Sequence, residues 1–146
     1  MSFNVLKKTE LFSQDPNVSF APFLQALQNI SPLNRSIIND LKDCNIEGED
    51  DIFFQLNEMF QNNFPEKIEN IKLYYRKQEM KKLCAEAHQL KFASSGMGAQ
   101  SIAKVCQYLE YTETWDDEVL LTLIECLEHE FERTLLALQN EIKSPS

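Results

Sequence analysis

The stretch MKKLCAEAHQLKFASSGMGA, Met80–Ala99, decides how the chain folds. At 100° per residue, Met80, Leu83, Ala87, Leu90 and Ser94 fall on one mostly apolar stripe, so the run reads as an amphipathic helix from about Gln78 to Ser95. Gly96-Met97-Gly98 then closes it, because glycine accepts the backbone angles that end helices. His88 lies to the side of the stripe, with Lys81, Cys84, Lys91, Phe92 and Ser95 as its neighbours on the helix surface. The imidazole is therefore expected to reach water with a cation beside it. That setting suits a nucleophile that carries negative charge after it has reacted.

Upstream, Phe53, Leu56, Phe60, Phe64, Ile68, Ile71 and Tyr75 recur three or four apart. They predict a long helix starting near Asp50, with Glu49, Asp50 and Asp51 at the positive end of its dipole. Pro65 falls inside it and is expected to kink it. Before it, Ser31-Pro32 reads as an N-cap and first helical residue of a short helix to about Cys44, broken by Asn45-Ile46-Glu47-Gly48. Downstream, a helix from about Ala99 to Tyr111 is expected to bury Ile102, Val105, Cys106 and Leu109. Thr114 with Asp117 resembles a capping box, opening a last helix to about Ile142. Its apolar positions are Leu120, Leu123, Leu127, Phe131, Leu135 and Leu138, while Glu125, Glu128, Glu130 and Glu132 read as a solvated face.

Short loops between long helices favour antiparallel neighbours. The fold expected is all-α, an antiparallel up-down-up-down four-helix bundle with additional short helices at its N-terminal side. Residues 1–30 read as an extension with a flexible opening dozen, a turn at Asp15-Pro16-Asn17 and one helix over 19–30 through Phe20, Phe23, Leu24 and Leu27. Residues 31–142 make the bundle, and 143–146 a frayed tail.

Composition narrows the function. A chain of 146 residues suits one domain, and a monomer is the simpler expectation. The net charge of −9 argues against nucleic acid. No apolar run approaches a membrane span, and the first residues lack a secretory signal, so a cytoplasmic location is expected. Cys44, Cys84, Cys106 and Cys126 form no C-x-x-C pair and would stay reduced there. A zinc set from Cys84 and His88 with Cys126 and His129 would need both pairs to face each other, whereas the apolar stripes of their helices point elsewhere. No Glu-x-x-His pair supports a di-iron site, so no metal is assigned.

A lone helical histidine is most often a solvated surface residue. The residues around His88 reverse that reading. Ala87-His88-Gln89-Leu90-Lys91, then Ser94, Gly98-Ala99 and Cys106-Gln107-Tyr108-Leu109-Glu110, resemble the histidine-containing phosphotransfer (HPt) domain, over roughly Ser31 to Ile142 and including Phe60, Phe64 and Pro65. Phe92 stands where that family usually has glycine, and Ala93 where it has serine.

The resemblance implies a phosphoryl shuttle without kinase activity of its own. A phosphoaspartate on a receiver domain would donate to Nε2 of His88, which would then donate to an aspartate on another receiver. The partners implied are receiver domains of hybrid histidine kinases and response regulators. Lys91 would offset the added charge, and magnesium would come with the receiver, not with this chain, for which no cofactor is expected. Counting back from the Gly96–Gly98 turn places Glu110 beside His88, where its carboxylate can accept from Nδ1 and leave Nε2 free. Lys81, Cys84, Phe92 and Ser95 are expected on the partner face, with Ser95 near the phosphoryl group and Ser94 buried and bonded to backbone. Phe92 reads as a docking aromatic, or else as a cap on the imidazole. The alternative function is a helical module that occupies receivers without transfer.

Overall fold

The computed structural model describes residues 16–44, 51–111 and 116–143. They form six helices: α1 Pro16–Asn29, α2 Arg35–Asp43, α3 Ile52–Arg76, α4 Met80–Gly96, α5 Gln100–Leu109 and α6 Asp117–Lys143. In the bundle proper, α3 packs on α4, α4 on α5, α5 on α6, and α6 returns to α3. The ring closes around Phe64, Ile71, Leu83, Leu90, Ile102, Leu109, Leu123, Leu127 and Leu138, all fully buried. Each such side chain contributes about 1.5–3 kcal/mol by leaving water. This is the four-helix architecture expected, with α1 and α2 added at its N-terminal side.

Helix starts are set by side chains that satisfy otherwise orphaned amides. Asp51 Oδ1 accepts from Phe54 N at 3.1 Å and opens α3, which then runs through Pro65 as one element. Asp116 Oδ1 accepts from Val119 N at 2.9 Å and opens α6; Thr114, expected in that role, lies outside the described residues, as do Glu49 and Asp50. The expected cap of α2 is corrected. Asn34 Oδ1 accepts from Ile37 N at 3.1 Å, so the helix begins at Arg35. Ser31 instead closes a local turn, its Oγ accepting from Leu33 N at 3.3 Å. Likewise α4 begins at Met80, because Gln78 occupies the left-handed region with φ 60° and separates it from α3.

The α4–α5 turn fixes the site. Gly98 has φ 77°, and a Cβ there would come within 3.2 Å of Ile37 Cγ2 and Ile38 Cδ1. Its carbonyl accepts from Asn34 N at 2.7 Å, so α2 is seated directly on the turn. Gly96 is simply the last residue of α4, with open space around it.

Pro16 and Asn17 belong to α1 and do not make the expected turn; proline is well suited to a helix's first position. Phe23 and Leu27 bury against the bundle, with the Phe23 and Tyr108 ring centroids 4.1 Å apart. Arg133 of α6 ties down the end of α1: Nη1 donates to Leu27 O at 3.3 Å and Nη2 to Ile30 O at 2.9 Å. The same Nη1 donates to Glu130 Oε1 at 2.7 Å. Glu130, expected on the solvated face, is only 2 % exposed. It follows Leu127 by three residues on the apolar stripe, and a buried carboxylate is tolerated there because Arg133 pairs with it.

Candidate functional site

Around the Gly98 turn, α4 and α5 pack side by side. His88 lies before the turn and Glu110 after it, at comparable distances along the chain, so their side chains meet. His88 Nδ1 is 2.7 Å from Glu110 Oε1, and Lys91 Nζ is 2.5 Å from Glu110 Oε2. An ionised carboxylate only accepts, so in the neutral ring this contact favours the tautomer with the proton on Nδ1 and the lone pair on Nε2. Nε2 has no hydrogen-bond partner among the described residues, and the His88 side chain is 51 % exposed. The expected Nδ1–Glu110 contact is therefore present. Lys91, expected to offset the phosphoryl charge, is paired with a carboxylate here.

Phe92 is 66 % exposed and meets the imidazole edge-on, with ring centroids 4.8 Å apart and planes at 86°. It stands beside the ring without burying it. Lys81 is exposed earlier on α4, and Ser95 is exposed two turns after His88. Cys84 is only half-exposed, and its thiol donates to Glu110 O at 3.3 Å, turning inward to α5. Ser94 is fully buried as expected, but its Oγ has no hydrogen-bond partner, which corrects the expected bond to backbone. The hydroxyl occupies a position where small size permits close helix packing.

Two concavities flank this ridge of α4. Between α3 and α4 lies an apolar one of about 340 Å³, lined by Leu56, Met59, Phe60, Leu90, Phe92 and Met97 among others. Between α2, α4 and α5 lies a polar one of about 360 Å³, to which Lys91, Ser95, Lys104 and Gln107 contribute. No local sequence pattern points to Lys104 and Gln107. They sit three residues apart on one face of α5, but the hollow they line exists only once α2 is docked. Among the described residues no three His, Cys, Asp or Glu side chains gather as metal ligands. Burial, aided by Glu130 and Glu125, pushes the Cys126 thiol up to about 11, and burial pushes Cys106 higher still, so both stay protonated and unreactive.

A family model described as Hpt domain matches residues 55–142, from the first turn of α3 nearly to the end of α6 and more than half of the chain. The chain belongs to the Hpt family. Comparison with curated proteins gave no match. Membership gives this Hpt protein a general role in phosphorelay signalling, as a carrier without kinase activity, and receiver domains as its general class of partner. No helix among the described residues is long and apolar enough to cross a membrane.

Proposed function

We propose that His88 carries the phosphoryl group, accepting it from a receiver phosphoaspartate and passing it to the aspartate of a second receiver. The observation that carries this reading is the asymmetry of the ring: Nδ1 is engaged by Glu110 at 2.7 Å while Nε2 is open on a half-exposed side chain. In the forward step the Nε2 lone pair forms the N–P bond as the acyl phosphate P–O bond breaks, returning a free carboxylate to the receiver. The ring gains positive charge as the bond forms. Glu110, held at Nδ1, balances that charge and keeps Nε2 aimed outward, which makes it a positioning residue. Lys91, one helical turn along, supplies a cation for the phosphoryl oxygens once they arrive. Magnesium stays with the receiver.

Phe92 fits this reading as part of the docking ledge, since it leaves the ring half open. The test is incubation with a receiver domain phosphorylated by acetyl phosphate and magnesium. Acid-labile phosphate should appear on this chain and be absent from His88→Gln. A receiver that binds the unaltered chain tightly yet transfers nothing would favour the non-transferring module instead.

A further inference from the structure

We infer that the hollow between α2, α4 and α5 is a second contact for the receiver, taking a carboxylate-bearing segment of it, with Lys104 as the anchoring cation. The inference rests on the proposed docking of receivers over His88, and it specifies what such a receiver must carry.

The first support is charge. The chain has 23 acidic and 14 basic residues, so an open surface without a carboxylate is out of keeping with its composition. The hollow is lined by Lys91 and Lys104 with neutral neighbours such as Asn34, Ser95, Gln100 and Gln107, and by no acidic side chain. The first turns of α2 and α5, which border it, contain no acidic residue either. The two lysines differ in state. Lys91 is paired with Glu110, whereas exposed Lys104 has no ion-pair partner among the described residues. Lys42, Lys67, Lys72 and Lys82 have carboxylate partners, and Lys77 and Lys81, which have none among the described residues, do not line the hollow. Lys104 is thus a cation whose charge is available to a partner.

The second support is continuity with the proposed transfer site. Lys91 and Ser95 follow His88 by three and seven residues, so the hollow opens on the same face of α4 as the imidazole. On the other side of that ridge the surface is apolar, with Met59 and Phe92 exposed. A receiver seated over His88 therefore meets an apolar flank on one side and a basic flank on the other. Only one orientation satisfies both when the receiver has a carboxylate on the matching side. The apolar flank supplies contact area, and the basic flank supplies direction and approach rate.

The experiment is the association rate of a fluorescently labelled receiver domain, phosphorylated with acetyl phosphate and magnesium, across rising salt. The unaltered chain should associate more slowly as salt rises. Lys104→Glu should reduce the rate about tenfold at low salt and flatten its salt dependence. Lys77→Glu, an exposed reversal beyond the end of α3, changes net charge equally and should have little effect. Circular dichroism confirms that each variant is folded. Equal behaviour of the two variants, or a rate for the unaltered chain that ignores salt, would overturn this inference while leaving transfer to His88 intact. Failure of every receiver to bind or phosphorylate the unaltered chain would remove the docking reading, and this one with it.

Discussion

Two carboxylates in this bundle each hold a cationic side chain, with opposite consequences. Glu110 bridges His88 and Lys91 at a site where it remains 20 % exposed and the imidazole 51 % exposed. Glu130 holds Arg133 at 2 % exposure, and the guanidinium also bonds the carbonyls of Leu27 and Ile30 at the end of α1. At the first site one ring nitrogen is left without a partner. At the second, the arginine's donors are turned to structure. The same pairing chemistry thus serves presentation in one place and fastening in the other, and what separates them is the depth of the carboxylate and whether the paired side chain keeps an unengaged nitrogen.

The largest effect is expected at the fastening site. Arg133→Ala leaves Glu130 buried without its cation and releases two backbone carbonyls, a change that costs about 3 kcal/mol. Urea unfolding should show that loss, while transfer to His88 in the folded fraction stays normal. A loss under about 1 kcal/mol would mean that the Glu130 carboxyl is not held as a charge, and the contrast with Glu110 would collapse.

Glu110→Ala should behave the other way round. Its partners His88 and Lys91 remain 51 % and 30 % exposed and can return to water when the carboxylate is removed, so stability should change by only about 1 kcal/mol. Phosphotransfer should fall about tenfold, because Nδ1 loses the acceptor that fixes the tautomer and the aim of Nε2. Glu110→Gln keeps an oxygen that can accept from Nδ1 and should recover most of the rate. Loss of stability without loss of rate would place Glu110 with Glu130 as a fastener.

How much of this could be read from the chain depends on whether the signal was local. The α4 stripe was readable because Leu83, Ala87 and Leu90 recur at helical spacing and are buried. The His88–Glu110 contact was readable because one tight turn relates the two helices. Glu130 reads as solvated by residue type, whereas its register, one turn after Leu127, places it on the buried stripe. The start of α2 is ambiguous in the sequence because Ser31 and Asn34 are both good caps. What selects Asn34 is the bond from its amide to Gly98 O, a contact across the fold that no local pattern contains. The hollow around Lys104 was invisible for the same reason, since three helices build it.

A third carboxylate sharpens the comparison and carries the smallest expected effect. Glu141, near the end of α6, accepts from Arg35 Nη1 and from Lys42 Nζ, both at 2.8 Å, and so ties α2 to the last helix at 14 % exposure. Bonding from Arg35, then from Lys42, holds its carboxyl down at about 2 against an ordinary 4.5, with partial burial opposing the shift. A carboxyl with a depressed folded value contributes fully above pH 4.5 and loses that contribution as pH falls toward 2. Glu141→Gln should therefore cost about 1 kcal/mol at neutral pH, because Arg35 is largely solvated, and the gap from the unaltered chain should close as acid titrates the native carboxylate. Denaturant unfolding at pH 7 and at successively lower pH checks this. A gap that stays constant down to pH 2 would mean the side chain acts by packing and not by charge. Glu141 would then belong with neither of the other two carboxylates.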